Sequence, residues 1–308
     1  MSAISGITKT DVDSLIETQV ASEIFEGVVR ESKALSMFRR LPNMTSDKTK
    51  LRVLDSLPIA YFVDETSNNG RKNITKMAWD KKYINAAEVA VIVPIKENVL
   101  NDASIDIWSE VKPRIVEAFG KKIDNAIFNG TDKPADWRKG LIPSIDEIGA
   151  EVEETGHLYS DINDTMEKVE ESGYEVTGLL GGVNLKSKFR MMTDTTGQPL
   201  NTTEIGSLKR TFLDNGTWDK TKATLIAGDF SQAVYAMRQD ITYKVLTEAV
   251  IQDPSDGSIL YNLAQDDMVA LRVVMRLGWE IPNPVNALNE TATRFPFAAL
   301  KPEGTVSL

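Results

Sequence analysis

The chain of 308 residues contains no cysteine and a single histidine, His157. Without cysteine, neither disulfides nor thiolate-bound metal sites can contribute to the structure. With one histidine there is little room for a metal centre or a general base built on imidazole. His157 stands next to Leu158 and Tyr159, just before a predicted helix. A packed or surface histidine is therefore the simpler interpretation.

Long hydrophobic runs are also missing. The most apolar stretches, such as Val89 to Ile95, are much shorter than the roughly 20 residues that a helix needs to cross a bilayer. The polar N-terminus has no apolar segment of signal-peptide length. No membrane partner is therefore expected. The net charge of −10 argues against a protein that coats nucleic acid through a general positive field, and it leaves a local basic patch open.

The chain lacks the common catalytic motifs, including the Gly-x-Ser-x-Gly elbow and the dinucleotide fingerprint. Gly178 to Ser187 resembles a phosphate loop, but Leu185 occupies the position that needs glycine. Asp253 to Gly257 begins like a calcium loop, but Ala264 stands where the closing glutamate belongs. The acidic run Glu151 to Glu154 is interpreted as solvated surface. We expect no catalytic, cofactor-binding or metal site, and no enzyme.

Hydrophobic residues make up 42% and charged residues 26% of the chain, as in an ordinary folded protein. The first twenty residues show no period and are expected to form a flexible or draped arm. Apolar residues at helical spacing then predict a helix from Ser22, which serves as its cap. Arg39 and Arg40 suit the negative end of that helix, and Pro42 stops it.

Apolar and polar residues alternate from Leu51 to Val63 and again from Met77 to Ile95, with the polar stretch Asp64 to Lys76 between them. We interpret this pattern as one long hairpin with a polar tip. The first strand alone would reach roughly 40 Å at about 3.3 Å per residue. An isolated two-stranded hairpin is marginal in water, so the arm is expected to lie on a neighbouring subunit. The alternative is that both runs belong to an ordinary compact sheet.

A long helix is predicted from about Ser104 to Asn129, with a kink at Pro113 and a stop at Asn129-Gly130. The rest of the chain alternates between helices and strands. The predicted segments are a loop from Thr131 to Gly156, a helix from Ser160 to Ser172-Gly173, a strand from Val176 to Val183, a helical turn from Leu185 to Met192, a loop-rich region from Thr193 to Lys222, and strands at Ala223 to Ala227, Ala233 to Met237, Ile241 to Thr247 and Val269 to Ile281, the last ended by Pro282 and Pro284.

The order of these elements resembles the phage major capsid proteins of the Hong Kong 97 type over nearly the whole chain. The segments that carry the resemblance are VASEIFEGVVRESKALSMFRRL (20–41), LPIAYFVDE and TKMAWDKKYINAAEVAVIVPI (within 50–95), residues 94–119, LIAGDF (225–230) and QDDMVALR (265–272). No single segment is diagnostic, and their order and spacing together are specific.

The resemblance implies an α+β Hong Kong 97-type capsid fold with an N-terminal arm, a projecting hairpin called the E-loop, a kinked spine helix, and peripheral and axial domains. The implied divisions are the arm and first helix (1–44), the E-loop (45–96), the peripheral domain with the spine helix (97–145 and 261–308) and the axial domain (146–260). Hairpin-tip residues would then contact other subunits. These candidate contact residues are Asn68, Asn69, Gly70, Arg71 and Lys72.

The resemblance also implies a virion subunit that assembles as hexamers and pentamers into an icosahedral head. The head would enclose double-stranded DNA without sequence specificity, after assembly in the host bacterial cytoplasm. Portal and head-completion proteins are further expected partners. The chain starts close to the arm, without the long scaffolding segment common in the family. Either that segment was removed by processing or a separate scaffold protein is used, and the initial Met favours the second. Some shells of this type join a hairpin lysine to an asparagine; for Lys72 and Lys76, solvated tip residues are the better interpretation.

Three rivals remain at this point. An encapsulin-type bacterial compartment shares the fold and packages enzyme cargo. An enzyme with an unrecognised carboxylate site would be a stable monomer with a ligand-binding cleft. A tail or other virion protein is disfavoured by the combination of spine helix and hairpin.

Overall fold

The computed structural model describes residues 27–58, 77–102, 107–192, 198, 208–253, 255–289 and 293–304. In these residues the helices are α1 (27–31), α2 (Lys33–Met37), α3 (Glu97–Asp102), α4 (Ile107–Asp124), α5 (Leu141–Ile148), α6 (Leu158–Glu171) and α7 (Leu185–Arg190). The strands are β1 (Arg39–Arg40), β2 (Lys48–Ser56), β3 (Ala78–Asn85), β4 (Ala87–Lys96), β5 (Glu151–Glu153), β6 (Gly178–Gly182), β7 (Lys209–Leu213), β8 (Leu225–Gly228), β9 (Val234–Leu246), β10 (Val250–Gln252), β11 (Ile259–Asn262), β12 (Met268–Glu280) and β13 (Phe297–Lys301). The predicted α+β class is confirmed.

One sheet has four strands in the order β1-β9-β12-β4. Its β12 strand runs antiparallel to both neighbours, whereas β1 joins the edge parallel to β9. The strand predicted from Val269 to Ile281 is thus confirmed as β12. Both of its faces are covered, since Ala270 and Val274 are buried as well as Val273 and Leu277. A central strand buried on both sides explains the nearly continuous apolar run.

The second sheet has five strands in the order β5-β13-β8-β6-β7. Successive residues of its strands point to opposite faces, as the period of a strand requires. Leu179 of β6 and Leu225 of β8 pack beneath α6 and α7, together with Ile162 of α6. Their neighbours Leu180 and Ile226 point the other way, into the main core. Two different layers therefore cover this sheet.

The main core joins the two sheets through α2, α4 and α5. At its centre the Phe38 ring lies 6.0 Å from Trp279 and 6.5 Å from Phe128, measured between ring centroids. These three rings come from the N-terminal segment, from β12 and from the end of the long helix. Burial of their apolar surface, at about 25 cal/mol per Å², holds distant parts of the chain together.

The long helix is confirmed as α4, which runs through Pro113 and buries Ile115, Phe119 and Ile123 on one side. It continues as a π-helical turn over Asn125–Asn129. Gly130 follows with φ of 68°, the left-handed conformation typical of a helix end. The end at Asn129-Gly130 is therefore confirmed, and the kink at Pro113 stays a prediction.

The predicted N-terminal helix is wrong at its C-terminal end. Ser32 separates α1 from α2, and its hydroxyl caps α2. Arg39 and Arg40 form β1 instead of a last helical turn, and the Arg39 amide donates to the carbonyl of Ala233 at 2.9 Å. This strand pairing joins segments far apart in sequence, so local spacing could not indicate it. Ser22 lies outside the described residues.

Several other elements depart from the predictions. The predicted loop 131–156 contains α5 and β5, and the loop-rich region 193–222 contains β7. The runs Ala233 to Met237 and Ile241 to Thr247 form the single strand β9. Helix α6 begins at Leu158 rather than near Ser160. Its end at Ser172, the strand β6 and the helix α7 are as predicted.

The two interpretations of residues 51–95, one long hairpin or an ordinary compact sheet, each agree with part of the structure. Strands β2 and β3 pair antiparallel as a separate two-stranded sheet. The following run, β4, belongs to the four-stranded sheet beside β12. Strand β13 lies in the five-stranded sheet, and β9 in the four-stranded one, so the predicted domain boundaries do not follow the sheets. Those boundaries stay a prediction.

Candidate assembly surfaces

The candidate tip residues Asn68, Asn69, Gly70, Arg71 and Lys72, together with Lys76, lie outside the described residues. The base of the hairpin is described, and one of its faces is fixed to the protein. Val53 and Ile84 on that face are 5% and 0% exposed. Both residues belong to the antiparallel ladder of β2 and β3, which runs from Lys48 opposite Asn85 to Ser56 opposite Ala78.

Hydrogen bonds also fasten the hairpin base. The Val285 amide donates to the carbonyl of Leu54 at 2.9 Å, and the indole N–H of Trp137 donates to the carbonyl of Asn85 at 3.1 Å. The Lys82 ammonium lies 3.4 Å from the carbonyl oxygen of Ile281, and burial lowers the pKa of Lys82 below its ordinary value. Both strands of the hairpin base are thus fixed to the rest of the protein.

A salt-bridged corner adds to this attachment. Asp47, just before β2, lies 3.3 Å from Arg238 of β9 and 3.2 Å from Arg276 of β12. The Ala86 amide, between β3 and β4, donates to the carbonyl of Asp47 at 2.8 Å. Both ends of the hairpin base are therefore tied to the four-stranded sheet.

Asp124 joins the N-terminal segment to the spine helix α4. Its carboxylate accepts hydrogen bonds from the Ser32 hydroxyl (2.7 Å), the Ala34 amide (3.0 Å), the Lys33 amide (3.1 Å) and the Asn215 side chain (2.8 Å). Burial raises the pKa of Asp124, and these donors oppose that rise. A buried carboxylate with four donors fixes residues 32–34 against the end of α4. Nothing in the sequence pattern singled out this residue.

A groove of about 340 Å³ lies between β4 and α4. Its walls are mostly apolar, with Val89 and Val91 on one side and Phe119, Ile123 and Trp137 on the other. A separate exposed apolar surface lies on the small β10–β11 sheet, where Ile259 is 65% and Val250 50% exposed. Exposed apolar surface of this kind is typical of contact sites between proteins.

The glycines of the stretch that resembles a phosphate loop are buried. Residues Gly178–Gly182 form β6 with every position enclosed. A Cβ atom on Gly182 would come within 2.6 Å of the Trp218 side chain, and one on Gly181 within 2.6 Å of Leu185. These glycines permit close packing, and this strand cannot surround a phosphate.

The acidic run Glu151 to Glu154 was predicted to be solvated surface, which is wrong for Glu151 and Glu154, whereas Glu153 is exposed. Glu151 lies in β5 with 9% of its side chain exposed, 3.6 Å from the ammonium of Lys301. Glu154 pairs with Lys188 and accepts a hydrogen bond from the Thr224 hydroxyl at 3.1 Å. Part of the run is enclosed because β5 pairs with β13, a strand that the sequence pattern did not indicate.

The remaining chemical candidates are ordinary structure. Asp253 accepts hydrogen bonds from Ser255, and Asp256 accepts one from the Ser258 amide, as in common turns. His157 is the exposed residue at the start of α6. Among the described residues, no group of three or more His, Cys, Asp or Glu could hold a metal. No helix in the described ranges is long and apolar enough to cross a membrane.

Comparisons with known proteins agree on one family. A sequence model of the phage capsid family matches residues 13–288. The major capsid protein of Staphylococcus phage 80alpha is 27% identical over 283 residues, which cover 87% of this chain and 82% of that protein.

Solved structures give the same result. A chain from Microbacterium phage Oxtober96 is 34% identical with a TM-score of 0.78, and the match covers 88% of this chain and 91% of that one. A chain from Mycobacterium phage Adephagia is 30% identical with a TM-score of 0.79, covering 89% and 91%. The predicted Hong Kong 97-type fold is confirmed, and the encapsulin alternative is not favoured. The chain belongs to the phage capsid family and is a phage major capsid protein.

Proposed function

We propose that this capsid protein assembles as hexamers and pentamers into an icosahedral head around double-stranded DNA, in the cytoplasm of a host bacterium. It functions by binding other subunits, and it has no enzymatic activity. The proposal is supported by the hairpin base, a two-stranded sheet fixed to the rest of the subunit through Asp47, Lys82 and Asn85. A rigid base allows a hairpin to reach a neighbouring subunit without losing its direction.

The proposed partners are other copies of this chain, a separate scaffold protein, and portal and head-completion proteins. DNA would be enclosed without sequence specificity, since the net charge of −10 provides no general attraction for phosphate. The hairpin tip, with Asn68, Asn69, Gly70, Arg71 and Lys72, is the proposed contact with the neighbouring subunit.

Deleting residues 67–73 tests the role of the tip. Because the anchored base from Lys48 to Ser56 and from Ala78 to Asn85 remains, the subunit should still fold and show an unchanged thermal unfolding midpoint. Shell formation should fall, since a contact between subunits is lost. Negative-stain microscopy and light scattering measure both yield and stability of shells. Unchanged shells with the deletion would show that the tip does not connect subunits.

A further inference from the structure

The outward face of the hairpin base carries a concentration of positive charge in a protein that is acidic as a whole. Lys48, Lys50 and Arg52 alternate along β2 and are exposed. In the ladder, Arg52 lies opposite Lys81 of β3 and Lys50 lies opposite Tyr83, so these side chains share one face. On the opposite face of the hairpin base, Val53 and Ile84 are buried against the rest of the protein.

No carboxylate balances this face within the described part of the chain. Lys48, Lys50, Arg52 and Lys81 form no ion pair there. The Lys48 ammonium lies 4.4 Å from the centroid of the Tyr83 ring on the same face. Like charges directly opposite each other in a ladder are destabilising, as Arg52 and Lys81 are here. Stability of the free subunit therefore does not explain this arrangement.

An acidic face lies on helix α6, in a different part of the same chain. Asp164, Glu167, Glu170 and Glu171 are exposed on the side opposite the buried stripe that includes Ile162. Lys168 is the single cation among them and pairs with Glu171 at 3.8 Å. The first three carboxylates form no ion pair within the residues described.

A basic face and an acidic face on one chain are what a head-to-tail contact between copies requires. In a ring, one patch of each subunit meets a different patch of the next, so the two patches must be complementary rather than identical. The four cations of the hairpin base and the four carboxylates of α6 satisfy this condition.

We propose that the outward face of the β2–β3 hairpin base binds the acidic face of α6 on a neighbouring copy of this chain within the capsomer. This inference rests on the proposed function, since it presumes a ring of subunits. Nucleic acid is the less suitable partner because the chain carries a net charge of −10, which provides no general attraction for phosphate. Opposite charge across such a contact determines which surfaces meet and makes association sensitive to salt.

Charge reversal with rescue tests this pairing. The variant Lys50→Glu with Arg52→Glu should lower the yield of capsomers and shells at least about tenfold, since like charges placed together across an interface cost several kcal/mol. Adding Glu167→Lys and Glu170→Lys to the same chain should return the yield to within about threefold of the unchanged protein, because each pair then has opposite signs again. Light scattering and negative-stain microscopy measure the yield, and circular dichroism checks that each variant is folded.

A matched control is Lys209→Glu with Lys220→Glu, two exposed lysines without an ion pair in the residues described, which gives the same change in net charge. This control should assemble normally. Equal loss in the control, normal assembly of the first variant, or loss without rescue by the α6 reversals would each overturn the pairing. Intact shells that no longer retain DNA would assign the face to nucleic acid and overturn it as well. Failure of the unchanged protein to form any particle would count against the proposed function instead.

Discussion

Lys301 shows how a single charged side chain can belong to the interior of this protein. Only 7% of the side chain is exposed, and its ammonium lies 2.6 Å from Asp146 and 3.6 Å from Glu151. Lys139 forms a comparable ion pair with Glu147 of the same helix α5, but both side chains are 60% exposed. The two lysines therefore offer a direct comparison of a buried and an exposed ion pair.

We expect Lys301→Met to lower the free energy of unfolding by about 3 kcal/mol, because Glu151 would remain buried without its counter-charge. Lys139→Met should change it by less than about 1 kcal/mol, since water already solvates that pair. Urea denaturation of the unassembled protein measures both values. Similar losses in the two variants would mean that burial of Glu151 is not what makes the Lys301 pair important.

The residue scale is also where the sequence was least informative. Glu151 and Glu154 are close together in sequence, but their burial depends on β13, a strand near the C-terminal end of the chain that pairs with β5. Asp124 was missed for the same reason, since three of its donors come from residues 32–34. By contrast, the alternation of Lys48, Lys50 and Arg52 was visible in the sequence and could have indicated a basic strand face.

At the scale of elements, the hairpin base and β12 approach each other unusually closely at Gly278. A Cβ atom there would lie 2.5 Å from the carbonyl oxygen of Asn85 and 2.5 Å from a methyl group of Ile84. Glycine is therefore required for β3 to cross β12 at this distance. The contact positions the hairpin base relative to the four-stranded sheet.

The variant Gly278→Val should displace β3 and lower the free energy of unfolding by about 2 kcal/mol, as overpacking a closed contact does. The hairpin should also become easier to cut in limited proteolysis, because its base is no longer held. Arg272→Val, at an exposed position of the same strand, is the control and should leave both measurements nearly unchanged. Full protection of the hairpin in Gly278→Val would show that this contact does not position it.

Elements with a strong local period were the ones that the sequence predicted. The spine helix α4, the helix α6 and the strand β12 each carry an apolar pattern long enough to be recognised. The short strands β1, β7 and β13 carry no such pattern, since all three have five residues or fewer and pair with distant partners. Their existence depends on tertiary pairing, which local propensity does not contain.

At the scale of the whole molecule, the order of elements indicated the family, and the solved phage structures confirm the fold. The division of strands between the two sheets was not predictable, because β9 and β13 cross between the regions that the linear order assigned to separate domains. An acidic chain with one basic hairpin face also has an uneven distribution of charge that composition alone conceals. Composition gives only the net charge, whereas the fold shows where the positive and negative side chains lie.

The central claim is that this chain is a shell-forming subunit, and particle size tests it most directly. The purified protein, expressed alone and together with a candidate scaffold, would be examined by light scattering and negative-stain microscopy. We expect closed shells or capsomer-sized rings in at least one of the two conditions. A persistent monomer of 34.1 kDa in both conditions would contradict the account.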